Sequence, residues 1–168
     1  NEIKKRGPIS NKKIEFDDET LRDGIQSPSV ADPSIDDKIE ILHLQNSLGI
    51  TTSDIGLPGA GPRAREDVMR LAQEIVDAKL EIQANCACRT VVADIQPIVD
   101  VSQAVGLPIE VYTFIGSSPI RQYVEHWDVD HILRTSEEAI SFAVKQGCDV
   151  AYVTEDTTRS RPDHLDRL

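Results

Sequence analysis

Short β-prone runs alternate along the chain with longer stretches whose apolar residues recur at i, i+3 and i+4, and Gly, Pro or a capping residue marks each change. A first strand is expected at 13–18, followed by a loop with Pro28 and Pro33 and a helix over 34–48. Ser34 is placed to cap that helix, Asp36 and Asp37 suit its positive N-terminal end, and Gly49 stops it. Ile39, Leu42 and Leu48 keep helical spacing within it. A second strand at 51–55 runs into the turn-rich Gly56-Leu57-Pro58-Gly59-Ala60-Gly61-Pro62. The next helix then carries Val68, Leu71, Ala72, Ile75 and Val76 on one face. A third strand is expected at 80–87 with a helix at 91–105, and a fourth at 109–115 is apolar enough to be covered on both faces. The polar stretch 116–131, rich in His and Asp, reads as a long functional loop. A helix over 133–146, a fifth strand at 149–154 and the start of another helix at Asp163 complete the pattern.

The repeat is βα, with roughly 30 residues per unit and no hairpin signal. Two folds accommodate it, an open doubly wound α/β sheet or the opening of a (β/α)8 TIM barrel, and periodicity alone does not choose. No Gly-x-Gly-x-x-Gly follows the first strand, which weakens the dinucleotide-binding version. A complete barrel needs about 250 residues, whereas this chain has 168, begins at Asn1 and stops as a helix begins. The expected organisation is a lead-in over 1–12 and the first five βα units of a TIM-barrel catalytic domain over 13–168, that is, a truncated barrel.

A formal charge of -11 sets the chain against nucleic acid and anionic membranes as partners. The basic residues Lys4, Lys5, Arg6, Lys12 and Lys13 read as a solvated lead-in. No apolar run approaches the roughly 18 residues of a membrane span, and no signal-peptide core precedes the first strand, so a soluble, cytoplasmic protein is expected. The three cysteines make no disulfide framework; Cys86 and Cys88 share one face of a strand and read as small core residues.

In a parallel α/β fold the reactive groups sit where strands end. Those positions hold Arg22, Asp23 and Gln26 after the first strand and Arg89 after the third. Ser117 and Ser118 follow the fourth, and Glu155, Asp156 and Arg159 the fifth. Ions gathered at one mouth are costly unless used. Asp23 suits Mg2+ or Mn2+ as one carboxylate among waters and substrate oxygens, or Zn2+ if two histidines joined it. His43, His126, His131 and His164 are scattered and no His-x-His occurs, so a metal site built on Asp23 is incomplete within these residues.

The run Asp18-Glu19-Thr20-Leu21-Arg22-Asp23-Gly24-Ile25-Gln26-Ser27-Pro28 resembles the signature of the 2-isopropylmalate synthase and homocitrate synthase family, within the metal-dependent aldolase-type barrels that include hydroxymethylglutaryl-CoA lyase. A second run, Val153-Thr154-Glu155-Asp156-Thr157-Thr158-Arg159-Ser160-Arg161-Pro162-Asp163, resembles the same family's strand-five segment. Ile25 stands where that family commonly has Glu, and Ser29-Val30 where it commonly has Gly. The resemblance implies a divalent metal held by Asp23, stabilisation of a developing enolate or alkoxide by Arg22, a catalytic or water-holding role for Glu155, and a place for Gln26 lining the metal and substrate site; Arg89 and Thr157, near the ends of the third and fifth strands, are further candidate substrate contacts. The resemblance further implies acetyl-CoA as co-substrate, a 2-oxo acid as the second substrate, a Claisen condensation followed by thioester hydrolysis, and a homodimer. The alternatives are a related carbon-carbon lyase and a catalytically inactive barrel fragment.

Overall fold

The computed structural model describes residues 14–168; the lead-in and the first residue of the expected first strand lie outside the described residues. Five parallel strands, β1 (Asp17–Asp18), β2 (Thr52–Asp54), β3 (Gln83–Arg89), β4 (Ile109–Gly116) and β5 (Val150–Glu155), form one sheet in the order β1-β2-β3-β4-β5. Helices α1 (Ile35–Ser47), α2 (Pro62–Asp77), α3 (Val92–Val105), α4 (Pro119–Glu125), α5 (Val129–Lys145) and α6 (Pro162–Leu165) follow in step. A doubly wound sheet reverses its strand order at a switch point, and this one never does. The sheet is the curled half of a TIM barrel.

Strand register sorts the side chains onto two faces. Ala84, Cys86 and Cys88 of β3 lie in line with Ile109 and Val111 of β4 and pack against Leu71 and Ile75 of α2 and Ile95 and Ile98 of α3, forming the buried core under the helices. The opposite, concave face carries Asp17, Asp54, Asn85, Glu110, Tyr112, Phe114 and Val153.

The first helix begins as its sequence predicts. Ser34 Oγ accepts the Asp37 N–H, and Asp37 in turn accepts the Ser34 N–H, a reciprocal capping box. Its buried face differs from expectation. Leu42 is buried, but Leu48 is 79% exposed, and Lys38 and Gln45 are buried instead. Lys38 Nζ reaches Asp32 at 2.9 Å and Asp67 at 2.7 Å. Gln45 donates to Asp18 Oδ1 at 2.6 Å and accepts from Ser53 Oγ at 3.1 Å. Counting apolar letters misses a face whose polar groups are all partnered.

Boundaries also move: β1 covers only Asp17–Asp18 of the strand expected at 13–18. The third strand runs from Gln83 to Arg89 rather than 80–87, because Leu80 still closes the end of α2 by donating to Ile75 O. The expected loop at 116–131 contains α4, capped by Ser118, and α5 starts at Val129, capped by Asp128.

Candidate active site

The turn after β1 is fixed from below by Leu21, which is buried in the core, and by two hydrogen bonds to Glu19 O, from Arg22 N at 3.2 Å and Gly24 N at 3.0 Å. That places the Arg22 guanidinium among three carboxylates. Its Nε donates to Asp54 Oδ2 at 3.1 Å, one terminal nitrogen to Glu19 Oε2 at 2.6 Å and the other to Asp23 Oδ1 at 3.3 Å.

Asp54, at the end of β2, is fully buried, and its Oδ1 accepts the Gly56 N–H at 3.0 Å. Burial pushes its carboxyl up to about 7, overcoming the Gly56 hydrogen bond and the Arg22 charge, both of which favour ionisation. Gly56 has φ +143, and a Cβ there would lie 2.7 Å from Val68 Cγ2, so glycine is what lets this N–H reach the carboxylate. Sequence reasoning took 51–55 as a plain strand and missed Asp54. The available signal was a lone carboxylate at a strand's end, two residues before Gly56 of the Gly56-Leu57-Pro58 turn.

Beneath this group the concave face is acidic. Asn85 donates to Asp17 Oδ1 at 2.9 Å. Burial, more than any neighbour, raises Asp17 and Glu110, and burial with Asp17 and Glu110 nearby pushes the Tyr112 hydroxyl up to about 12.

The expected site residues divide into two groups. Gln26 lines a cleft of about 130 Å³ with Arg22, Ile25 and Gly56, and Asp23 beside it is 69% exposed. Arg89 and Glu155 instead share a cavity of about 480 Å³ with Phe114, Arg121, Trp127 and His131. Arg89 is turned onto α3, where its Nε and a terminal nitrogen grip both oxygens of Asp94 at 2.6 and 2.9 Å, though the side chain remains 70% exposed. The Thr157 hydroxyl is taken up by Thr154, through that residue's carbonyl and its Oγ1. Ser117 bonds Ser160 Oγ at 2.6 Å, and Ser118 caps α4, so both serve the packing of the mouth.

Among the described residues no three His, Cys, Asp or Glu side chains come together as a metal-binding group. Asp23 offers one outward carboxylate, which fits a single position in a hard cation's coordination sphere and no more.

Comparison with known proteins adds independent findings. The profile of the family described as HMGL-like matches residues 13–168. The chain is 32% identical over 155 residues to a 2-isopropylmalate synthase of Lactococcus lactis subsp. cremoris, covering 92% of this chain and 29% of that protein. It is 29% identical over 158 residues to a 2-isopropylmalate synthase of Sulfolobus acidocaldarius, covering 94% and 39%. It is 30% identical over 152 residues to the homocitrate synthase AksA of Methanopyrus kandleri, covering 90% and 36%. The chain thus spans between 29% and 39% of the length of these relatives.

Proposed function

The chain belongs to the HMGL-like family, and on that premise we propose that it supplies the first five βα units of an acyltransferase that condenses acetyl-CoA with a 2-oxo acid. The observation that carries this reading is the Arg22 guanidinium, held in a fixed orientation by Asp54 and Glu19 beside the outward carboxylate of Asp23. A forked cation locked in place costs no reorganisation when charge develops on a reacting oxygen.

Within this reading Asp54 and Glu19 position Arg22, which stabilises the oxygen of the 2-oxo acid that gains charge as the new carbon-carbon bond forms. Asp23 would hold a divalent cation (Mg2+, Mn2+ or Zn2+), which when bound supplies Lewis-acid polarisation of the keto group. Gln26 contacts the same substrate from the cleft it lines with Arg22. Glu155 and Arg89, which line one cavity, act on the second substrate or on the water that cleaves the thioester, and Thr157, just past the end of β5, adds a substrate contact. The net change is loss of a proton from the acetyl methyl, attack of that carbon on the keto carbon, protonation of the alkoxide, and hydrolysis that releases CoA and a 2-hydroxy acid carrying one carboxylate more than the 2-oxo acid. The reading includes a cytoplasmic homodimer with small-molecule partners. It is supported by family membership and by the finding that no described helix is long and apolar enough to cross a membrane.

The test is release of free CoA thiol by the full-length gene product given acetyl-CoA, each of a panel of aliphatic and dicarboxylic 2-oxo acids, and Mg2+, Mn2+ or Zn2+. Thiol release that requires one 2-oxo acid supports the reading. No release with any of them, or release independent of the 2-oxo acid, rejects it.

A further inference from the structure

Lys38 on α1 is 4% exposed, and its ammonium lies between two carboxylates brought from different places, Asp32 Oδ1 at 2.9 Å and Asp67 Oδ2 at 2.7 Å. Burial works against its charge, but the hydrogen bonds to Asp67 and Asp32 outweigh that and raise its pKa above the ordinary lysine value. The bond from Lys38 in turn lowers Asp32, so this pair is ionised at neutral pH. Asp32 stands in the segment 27–33, which joins the single helical turn Gly24–Gln26 to α1. Inside that segment the Val30 N–H donates to Ser27 O at 3.0 Å, and the Ser27 and Ser29 hydroxyls meet at 2.9 Å. Its polar ties to other elements, among the described residues, are the two ion pairs of Asp32, to Lys38 and to Arg63 Nη2 at 2.7 Å. Asp67, at the far side of the ammonium, precedes Val68, the residue that a Cβ at Gly56 would meet at 2.7 Å. One turn of α2 therefore seats the Gly56 corner behind Asp54 and, through Lys38, the segment that follows Gln26.

We infer that Lys38 is a positioning residue: by holding Asp32 against Asp67 of α2 it fixes the 24–33 loop, and with it the Gln26 side chain that meets the 2-oxo acid. The identity of that ligand rests on the proposed function, whereas the bridge rests on the geometry alone. Stability does not call for such a bridge, because a well-packed apolar side chain serves a buried helix position as well as an ion pair or better. What the ions add is direction, since two carboxylates on one ammonium bring a loop and a helix to one point. Lys38 lines the cleft of about 130 Å³ that Gln26 shares with Arg22, and with Ile25, Gln26 and Asp32 it lines a second cleft of about 530 Å³. It thus borders both openings beside Gln26. A shift of the loop by about 1 Å is enough to spoil a contact that depends on orientation.

The test uses the full-length protein. Removing Lys38 would strand two carboxylates, so the substitution is made at Asp32, which leaves the Lys38–Asp67 pair in place. Hydrogen exchange at the Gln26 and Val30 amides, which donate to Asp23 O at 3.1 Å and Ser27 O at 3.0 Å, reads the loop without turnover. Both should exchange about tenfold faster in Asp32→Ala, with the interiors of α1 and α2 unchanged. Asp32→Glu should restore the protection, and Arg63→Gln, which breaks only the other ion pair of Asp32, should leave it intact. In the CoA-release assay Asp32→Ala should raise KM for the 2-oxo acid about fivefold while kcat stays within about twofold. Unchanged exchange at Gln26 and Val30 in Asp32→Ala, or an equal loss in Arg63→Gln, overturns the bridge. A loosened loop with an unchanged KM overturns the positioning of Gln26. Absence of CoA release by the wild type rejects the proposed activity, and the exchange measurement still decides whether Lys38 holds the loop.

Discussion

Arg22 and Asp54, 32 residues apart in the chain, are joined by a 3.1 Å hydrogen bond from Nε to Oδ2 across the ends of β1 and β2. The bond ties the exposed chemistry of the first loop to a carboxyl with no solvent access. Since burial holds that carboxyl up at about 7, its charge state changes within the ordinary working range of pH.

The first prediction concerns stability against pH. With a folded pKa above the unfolded value of 3.8, Asp54 holds a proton in the folded state that the unfolded chain has released. Its contribution to stability is therefore fully present below pH 3.8 and is lost as pH rises through about 7. Relative to an Asp54→Asn variant, the wild type should lose on the order of 3 kcal/mol between pH 4 and pH 8. Urea unfolding of both proteins across that range checks it, and a constant difference between them would refute the raised value.

Arg22→Lys should lower kcat by about 100-fold, because a point charge cannot hold Asp54, Glu19 and Asp23 in one plane while still facing a reacting oxygen. Measuring kcat and KM separately is decisive. A variant changed only in KM would mean that Arg22 binds substrate without stabilising the transition state.

For Asp23→Asn the structure and the proposed role point in opposite directions. The side chain is 69% exposed and contacts only Arg22 at 3.3 Å, so unfolding free energy should move by no more than about 0.5 kcal/mol. Metal-dependent turnover should nevertheless fall at least tenfold at saturating Mn2+. Activity near that of the wild type removes Asp23 from the reaction.

A fourth expectation tests the packing of the second cavity. A Cβ at Gly116 would sit 2.3 Å from Arg121 Cγ, so Gly116→Ala should cost about 1–3 kcal/mol. In an Arg121→Ala background that atom is gone, and the cost should largely disappear. A double-mutant cycle by thermal or chemical unfolding reads the coupling, and additive effects would show that Arg121 does not lie across Gly116.

Local chemistry made much of this protein legible from its sequence. The alternation of β and α elements, the Ser34 cap with Asp37, the Gly49 stop at φ +79 and the buried Cys86 and Cys88 all follow from short-range propensities and periods, which a sequence carries explicitly. The Arg22-Asp23 and Glu155-Asp156 runs were likewise visible as strand-end chemistry. Tertiary structure alone decided the rest. Strand order is a relation between segments about 30 residues apart that no local period encodes. The barrel, which the family resemblance already implies, is told from a doubly wound sheet by the unreversed order β1-β2-β3-β4-β5. Asp54 gained its role only when β2 was laid beside β1 and Gly56 allowed Val68 to close over it. Lys38 and Gln45 could be buried because Asp67 on α2 and Asp18 on β1 came within hydrogen-bond reach. Arg89 stood as a mouth residue in the sequence, and the fold gave it Asp94 as a partner. A sequence displays each residue's own preferences, whereas burial and partners are properties of pairs, and pairs exist only once the chain has folded.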